Sequence, residues 1–189
     1  LMLFEVPLPF LAPSFYGLDF AEVPMLVGTF ALGPVAGIVM QIVKILIKLI
    51  LKPTSTGFVG EFANVVMSCA LILPAGFIYR FKKSKNGALA GMAVGTVLMA
   101  VAGVVMNALV MIPFYSNFMP IETIIKAGAA VNPAVSSVWT LAIFCVGPFN
   151  LVKGTLTSVI TAVIYKRISV LIHGASHGTS GSYGVKKAV

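Results

Sequence analysis

Long apolar runs alternate along this chain with short stretches rich in Pro, Gly and polar residues, and nowhere do apolar and polar positions alternate strictly. Runs of roughly 20 apolar residues cross a ~30 Å hydrocarbon core as helices, and the missing alternation argues against a barrel. The pattern predicts an all-α integral membrane protein. Leu1 to Leu11, interrupted by Pro7 and Pro9, reads as the outer end of a first helix. The chain opens inside that run with neither an initiator methionine nor a basic flank, so this helix is expected to be truncated, with further residues preceding Leu1. The Pro- and aromatic-rich stretch that follows, to Phe20, reads as a loop.

Val23 to Leu51 is apolar for too long to be one ordinary span, and Gly33-Pro34 interrupts it. Proline disfavours helical geometry in the residue before it, which predicts a short second helix turning into a third, with one kinked helix as the alternative. Pro53 to Gly57 reads as a polar turn, Glu61 to Tyr79 as a fourth span kinked at Pro74, and Ala88 to Ile112 as a fifth. Pro113 to Pro133 is expected to be a long outer connection. Trp139 to Val146 reads as a short helical lead-in broken at Gly147-Pro148, and Phe149 to Tyr165 as the last span, stopped by Lys166-Arg167. Residues 1–172 then form a single transmembrane domain, and 173–189, rich in Gly and Ser, a flexible cytoplasmic tail.

Composition agrees with the pattern: 59% of the residues are hydrophobic and 10% charged, with a mean hydropathy of +1.04, against about 25% charged in a soluble domain. The net charge of +8 does not point to nucleic acid, because Arg80, Lys82, Lys83, Lys85, Lys166, Arg167, Lys186 and Lys187 follow the ends of two hydrophobic segments. Basic clusters in that position mark the cytoplasmic side. Placing both there gives a six-transmembrane-helix bundle with both termini cytoplasmic. Glu5, Asp19, Glu22, Glu61 and Glu122 then all fall at the outer side.

Polar residues inside apolar segments are costly and commonly functional. Asp19, Lys44, Lys48, Glu61, Asn64, Asn107, Asn150 and Lys153 lie within or beside such segments. Under this topology Asp19, Glu61, Asn64, Asn107, Asn150 and Lys153 converge on one depth, in the outer half. Asn150 and Lys153 are three apart and share a helix face, as do Glu61 and Asn64. The arrangement predicts an outward-facing ligand site. The competing reading is that amides and snorkelling lysines merely hold the bundle together. Lys44, Lys48 and Lys52 repeat every fourth residue; pairing or snorkelling suits Lys48 and Lys52, while Lys44, the deepest, is a further site candidate. Gly87, Gly91 and Gly95 have the spacing of close helix packing, within the chain or against a partner. Phe15, Tyr16, Phe20, Tyr115, Phe118, Trp139 and Phe149 gather near the outer loops, as an interfacial belt or as partners for a flat ring.

Other chemistries lack their residues. The chain has no GxxxxGK[ST], HExxH, paired-Cys or GxSxG pattern, so neither enzyme activity, a metal centre nor its own ATPase is expected. Cys69 and Cys145 sit in apolar runs and read as small buried hydrophobes. His173 and His177, in a flexible tract, read as solvated.

The segments LDFAEVP (Leu18 to Pro24), FALGPVAG (Phe30 to Gly37), TSTGFVGEFAN (Thr54 to Asn64) and PFNLVKG (Pro148 to Gly154), in that order, resemble the riboflavin-specific substrate-binding component of the energy-coupling factor (ECF) vitamin transporters. The resemblance implies a multi-pass subunit of the bacterial plasma membrane that captures riboflavin from outside. It further implies no cofactor besides this transported ligand, and docking on a transmembrane coupling protein with two cytoplasmic ATPases. Carried over by motif, Asn150 and Lys153 would bind the vitamin's polar edge or ribityl chain, Asn107 is the next candidate, and the loop at Leu18 to Phe20 would act as an outer lid. The family's small-residue docking face belongs to the first helix and is not legible here. Riboflavin is neutral, with an apolar end, an edge of donors and acceptors, and a hydroxyl chain, which amides in a mostly apolar pocket suit. Another vitamin in the same fold, or a non-transporting scaffold, are the alternatives.

Overall fold

The computed structural model describes residues 6–7, 17–54 and 56–174. A two-residue antiparallel pair, β1 (Val6–Pro7) with β2 (Gly17–Leu18), leads into α1 (Glu22–Leu32), α2 (Pro34–Leu51), α3 (Val59–Phe81) and α4 (Lys85–Met106). After a π turn at Asn107–Met111 come α5 (Ile112–Tyr115), α6 (Ile121–Ala129) and α7 (Val138–Leu141), then a second π turn at Ala142–Val146 and α8 (Gly147–Gly174). Among the described residues, four continuous helical stretches are long and apolar enough to cross a membrane: Pro34–Leu51, Val59–Phe81, Lys85–Tyr115 and Val138–Tyr165. Glu22–Leu32 is apolar but shorter.

The burial pattern is that of a chain solvated by lipid. Along α2, Ile50 is 82% and Val35 70% exposed, while the one amide of that helix, Gln41, is 0% exposed. Water would select the reverse; a bilayer leaves apolar side chains outside and drives polar ones to satisfy each other within.

Gly33 resolves the long second apolar run into two helices. Its φ of 98° is left-handed space that a side chain disfavours, and Pro34 opens α2 at a position where its missing N–H costs nothing. Only three residues separate α3 from α4, which starts on Ser84, whose hydroxyl accepts the Gly87 N–H at 3.1 Å. The resulting hairpin is tight because of Gly91 and Gly95. A Cβ at Gly91 would stand 2.8 Å from the Ala75 carbonyl oxygen, and one at Gly95 would run into that of Leu71. The four-residue glycine spacing thus serves packing inside the chain. One apolar cluster, including Leu26, Leu71, Ile72, Met92 and Met99, joins α1, α3 and α4; Phe30, Tyr79 and Tyr165 close it at the end away from Glu22, with the two tyrosine hydroxyls hydrogen-bonded. A second, built on Leu18, Ile112, Ile124, Leu141 and Phe149, gathers β2 and the short helices.

The structure differs from the sequence reading at four points. Val6–Pro7 is strand, not helix; Pro7 biases Val6 towards extended geometry, and the rest of Leu1 to Leu11 lies outside the described residues. The connection from Pro113 contains α6, whose Ile124 and Gly128 are buried on one face. The helix is not broken at Gly147-Pro148. The Ile112 N–H bonds to the Asn107 carbonyl and the Gly147 N–H to that of Ala142, five residues back, and this widening moves the preceding carbonyls off the rings of Pro113 and Pro148. Finally, α8 passes Lys166-Arg167 and ends at Gly174, since basic residues end an apolar stretch without ending a helix and suit its C-terminal half. The expected tail beyond Gly174 lies outside the described residues.

Candidate functional site

The start of α3, the π turn that ends α4, the start of α8 and the loop before α1 enclose a cavity of about 230 Å³. Six polar side chains expected at one depth line it: Asp19, Glu61, Asn64, Asn107, Asn150 and Lys153. Met67, Met111, Tyr115 and Phe149 supply an apolar wall. Of the other aromatics singled out, Phe118 and Trp139 are exposed, and Phe15 and Tyr16 lie outside the described residues. A larger cleft of about 430 Å³ between α1 and α2 is lined mainly by Val39, Val43, Ile47 and Leu51. It carries the exposed lipid face of α2, with Lys44 and Lys48 also in its lining.

Both asparagines are held by their own helices. Asn107 Nδ2 donates to the Gly103 carbonyl at 2.8 Å, and Asn150 Nδ2 to the Val146 carbonyl at 3.0 Å. Each bond reaches back four residues and fixes the amide's orientation, leaving Asn150 with its Oδ1 and a second N–H. Lys153 is held by two carboxylates: its Nζ is 2.8 Å from Asp19 Oδ2 and 3.5 Å from Glu22 Oε2. Asp19 also accepts the Ala21 N–H at 2.9 Å, which pins the loop locally.

Glu22 is the hub behind the cavity. It is completely buried, pairs with Lys44 at 3.4 Å as well as with Lys153, and accepts the Ser68 hydroxyl at 2.9 Å. Lys44 also donates to Asn64 Oδ1 at 3.2 Å, and Gln41 Nε2 to the same oxygen at 3.1 Å. Glu61 accepts from Thr54 at 2.8 Å and Thr56 at 3.2 Å, and pairs with Lys48 at 3.4 Å. Breaking a buried pair strands a charge at about 3–5 kcal/mol. This network therefore ties α1, α2, α3 and α8 together while setting the cavity wall.

Lys44, Leu18 and Phe20 do not line the cavity. Lys44 stands behind Asn64, Leu18 is buried in the second apolar cluster, and Phe20 packs against that cluster. Lys52 lines the mouth and is exposed. Sequence reasoning treated Glu22 only as an orienting acid and passed over Gln41 and Ser68. The signal was present: Gln41 precedes Lys44 by three residues and Ser68 follows Asn64 by four, so each shares its neighbour's helix face.

Residues 1–165 match the model of the family described as "ECF transporter, substrate-specific component". The chain is 30% identical over 165 residues to the riboflavin transporter RibU of Staphylococcus aureus, covering 87% of this chain and 80% of that one. It is 28% identical over 171 residues to the riboflavin transporter FmnP of Bacillus subtilis, covering 89% and 84%. The fold superposes with a TM-score of 0.67 and 29% identity, over 89% of this chain and 86% of the other, on the solved structure described as "Structure and mechanism of the S component of a bacterial ECF transporter".

Proposed function

The chain belongs to the substrate-specific components of ECF transporters, and from that membership we propose that it is the membrane subunit that captures riboflavin for an ATP-driven uptake system. The observation that carries the choice of ligand is the make-up of the cavity: amides and other hydrogen-bonding groups interleaved with Met67, Met111, Tyr115 and Phe149. A flat, neutral ring system with a polar edge matches such a mixed lining. The resemblance to two riboflavin transporters supports the same reading.

The roles follow from the hydrogen bonds. Asn150, oriented by the Val146 carbonyl, offers an acceptor beside a donor, the complement of an adjacent N–H and C=O on the flavin's pyrimidine-like edge. Asn107 serves the same edge or the ribityl hydroxyls. Lys153 is fixed by Asp19 and Glu22, and its remaining N–H serves a hydroxyl or carbonyl. Because two carboxylates already face this cation, a phosphate or a dianionic vitamin gains little from it, whereas a neutral ligand needs only hydrogen bonds. Glu61 and Asn64, at the start of α3, shape the part of the lining that this helix contributes. Asp19, with Leu18 and Phe20 anchored beside it, ties the outer loop to α8 and so acts as the lid over the cavity. Lys44 acts from behind, through Asn64 and Glu22.

In this proposal the subunit has six spans with both termini in the cytoplasm, resides in the bacterial plasma membrane as a single domain over 1–172 with a cytoplasmic tail, and catalyses no reaction. Power comes from a transmembrane coupling protein and two ATPase subunits. The test is a titration of riboflavin fluorescence with the purified, detergent-solubilised protein, with thiamine, folate and pantothenate as competitors. Saturable quenching that no competitor reverses is expected. A folded, flavin-free protein that quenches nothing overturns the reading.

A further inference from the structure

Glycines recur at 91, 95 and 103 along the buried face of α4, and they do not meet the same kind of neighbour. At Gly91 and Gly95 an added Cβ would strike the backbone of α3, at Ala75 and Leu71. At Gly103 it would strike a side chain: the Asn150 amide, whose Nδ2 would be in collision and whose Cγ would lie at 3.0 Å, with Met67 Sδ at 3.4 Å behind it. Backbone cannot yield without moving a helix; an amide on one χ1–χ2 pair can swing away. The carbonyl of this same Gly103 receives the Asn107 amide at 2.8 Å.

We propose that Gly103 is the positioning residue of the ligand site: its bare Cα admits the Asn150 amide and its carbonyl orients that of Asn107, so one backbone position sets both amides against the ligand. This rests on the riboflavin reading and deepens it, because it names what determines the geometry of the polar edge. Asn150 can bond the Val146 carbonyl and still face the cavity only while nothing occupies the Cβ position of residue 103. An alanine there rotates Asn150 off that carbonyl or towards Met67, and the donor-acceptor pair no longer meets the ligand. The Asn107 bond, made to backbone, survives the substitution.

The experiment is a double-mutant cycle in detergent, G103A, N150A and both together, read by riboflavin quenching and by melting temperature without ligand. G103A is expected to fold and to raise the Kd for riboflavin about tenfold or more, the cost of a mismatched buried hydrogen bond. In the N150A background, where the obstructed side chain is gone, G103A is expected to change the Kd no further. A general packing defect would weaken binding equally in both backgrounds, and that result, or wild-type affinity in G103A, overturns the proposal. Should the wild type itself fail to quench riboflavin, the flavin reading falls, and melting temperatures decide the contact on their own. A loss on G103A that N150A abolishes upholds it, and an equal loss in both backgrounds refutes it.

Discussion

At the scale of the residue, the site runs on compensated polarity. Asn150→Ala and Lys153→Ala are each expected to weaken riboflavin binding by about 1–3 kcal/mol, because each leaves a desolvated ligand group without a partner; a Kd unchanged in both variants removes them from the site. Glu22 carries a different burden. It touches Lys44, Lys153 and Ser68 and is fully buried, so Glu22→Ala takes from Lys44 its carboxylate partner and leaves Lys153 with Asp19 alone in a low dielectric. A loss of about 3–5 kcal/mol in the stability of the ligand-free protein is expected, measured by unfolding in detergent, and an unchanged melting temperature would count against the network. Asn107, Asn150 and Lys153 were legible as site candidates because a polar group in an apolar span stands out by itself. Glu22 was not, since at the edge of a span it looks like any outer acid until its partners are in view.

At the scale of the element, the close approach of α3 and α4 depends on missing side chains. The Cβ of Gly95→Ala would meet the Leu71 carbonyl carbon at 3.1 Å and its oxygen closer still, so this variant is expected to lose about 1–3 kcal/mol through overpacking. Its folded fraction should bind riboflavin with the wild-type Kd, because Gly95 lies away from the cavity; a changed Kd with unchanged melting would contradict the packing role. The π turns are the other element-scale device. Each precedes a proline, at Pro113 and Pro148, and one begins on Asn107 while the other ends four residues before Asn150. They carry the helix past the end expected at Pro113 and the break expected at Gly147-Pro148, and both nearby amides are buried.

At the scale of the molecule, exposed Val, Leu and Ile surround a buried polar network, the signature of a protein solvated by lipid. The proposed orientation places the short turn between α3 and α4, with Arg80 and Lys82 to Lys85, in the cytoplasm. Protease added to right-side-out vesicles should leave this turn intact, and added to inside-out vesicles should cut it; the opposite pattern reverses the topology. The cavity lies at the other end of α3, where Glu61 and Asn64 are found, so the same experiment fixes the side from which ligand enters.

The sequence by itself determined the class, the principal spans, the interruption at Gly33-Pro34 and which polar residues gather, because hydropathy and proline chemistry act locally and a polar group within an apolar span is costly wherever its partners lie. Only the tertiary structure decided which lysine meets which carboxylate, that Lys44 stands behind Asn64 while Lys153 faces the cavity, that prolines 113 and 148 are passed through widened turns, and that Gly103 makes room for Asn150. Those outcomes depend on how helices rotate and how closely they approach, and both are settled by contacts between residues far apart in the chain.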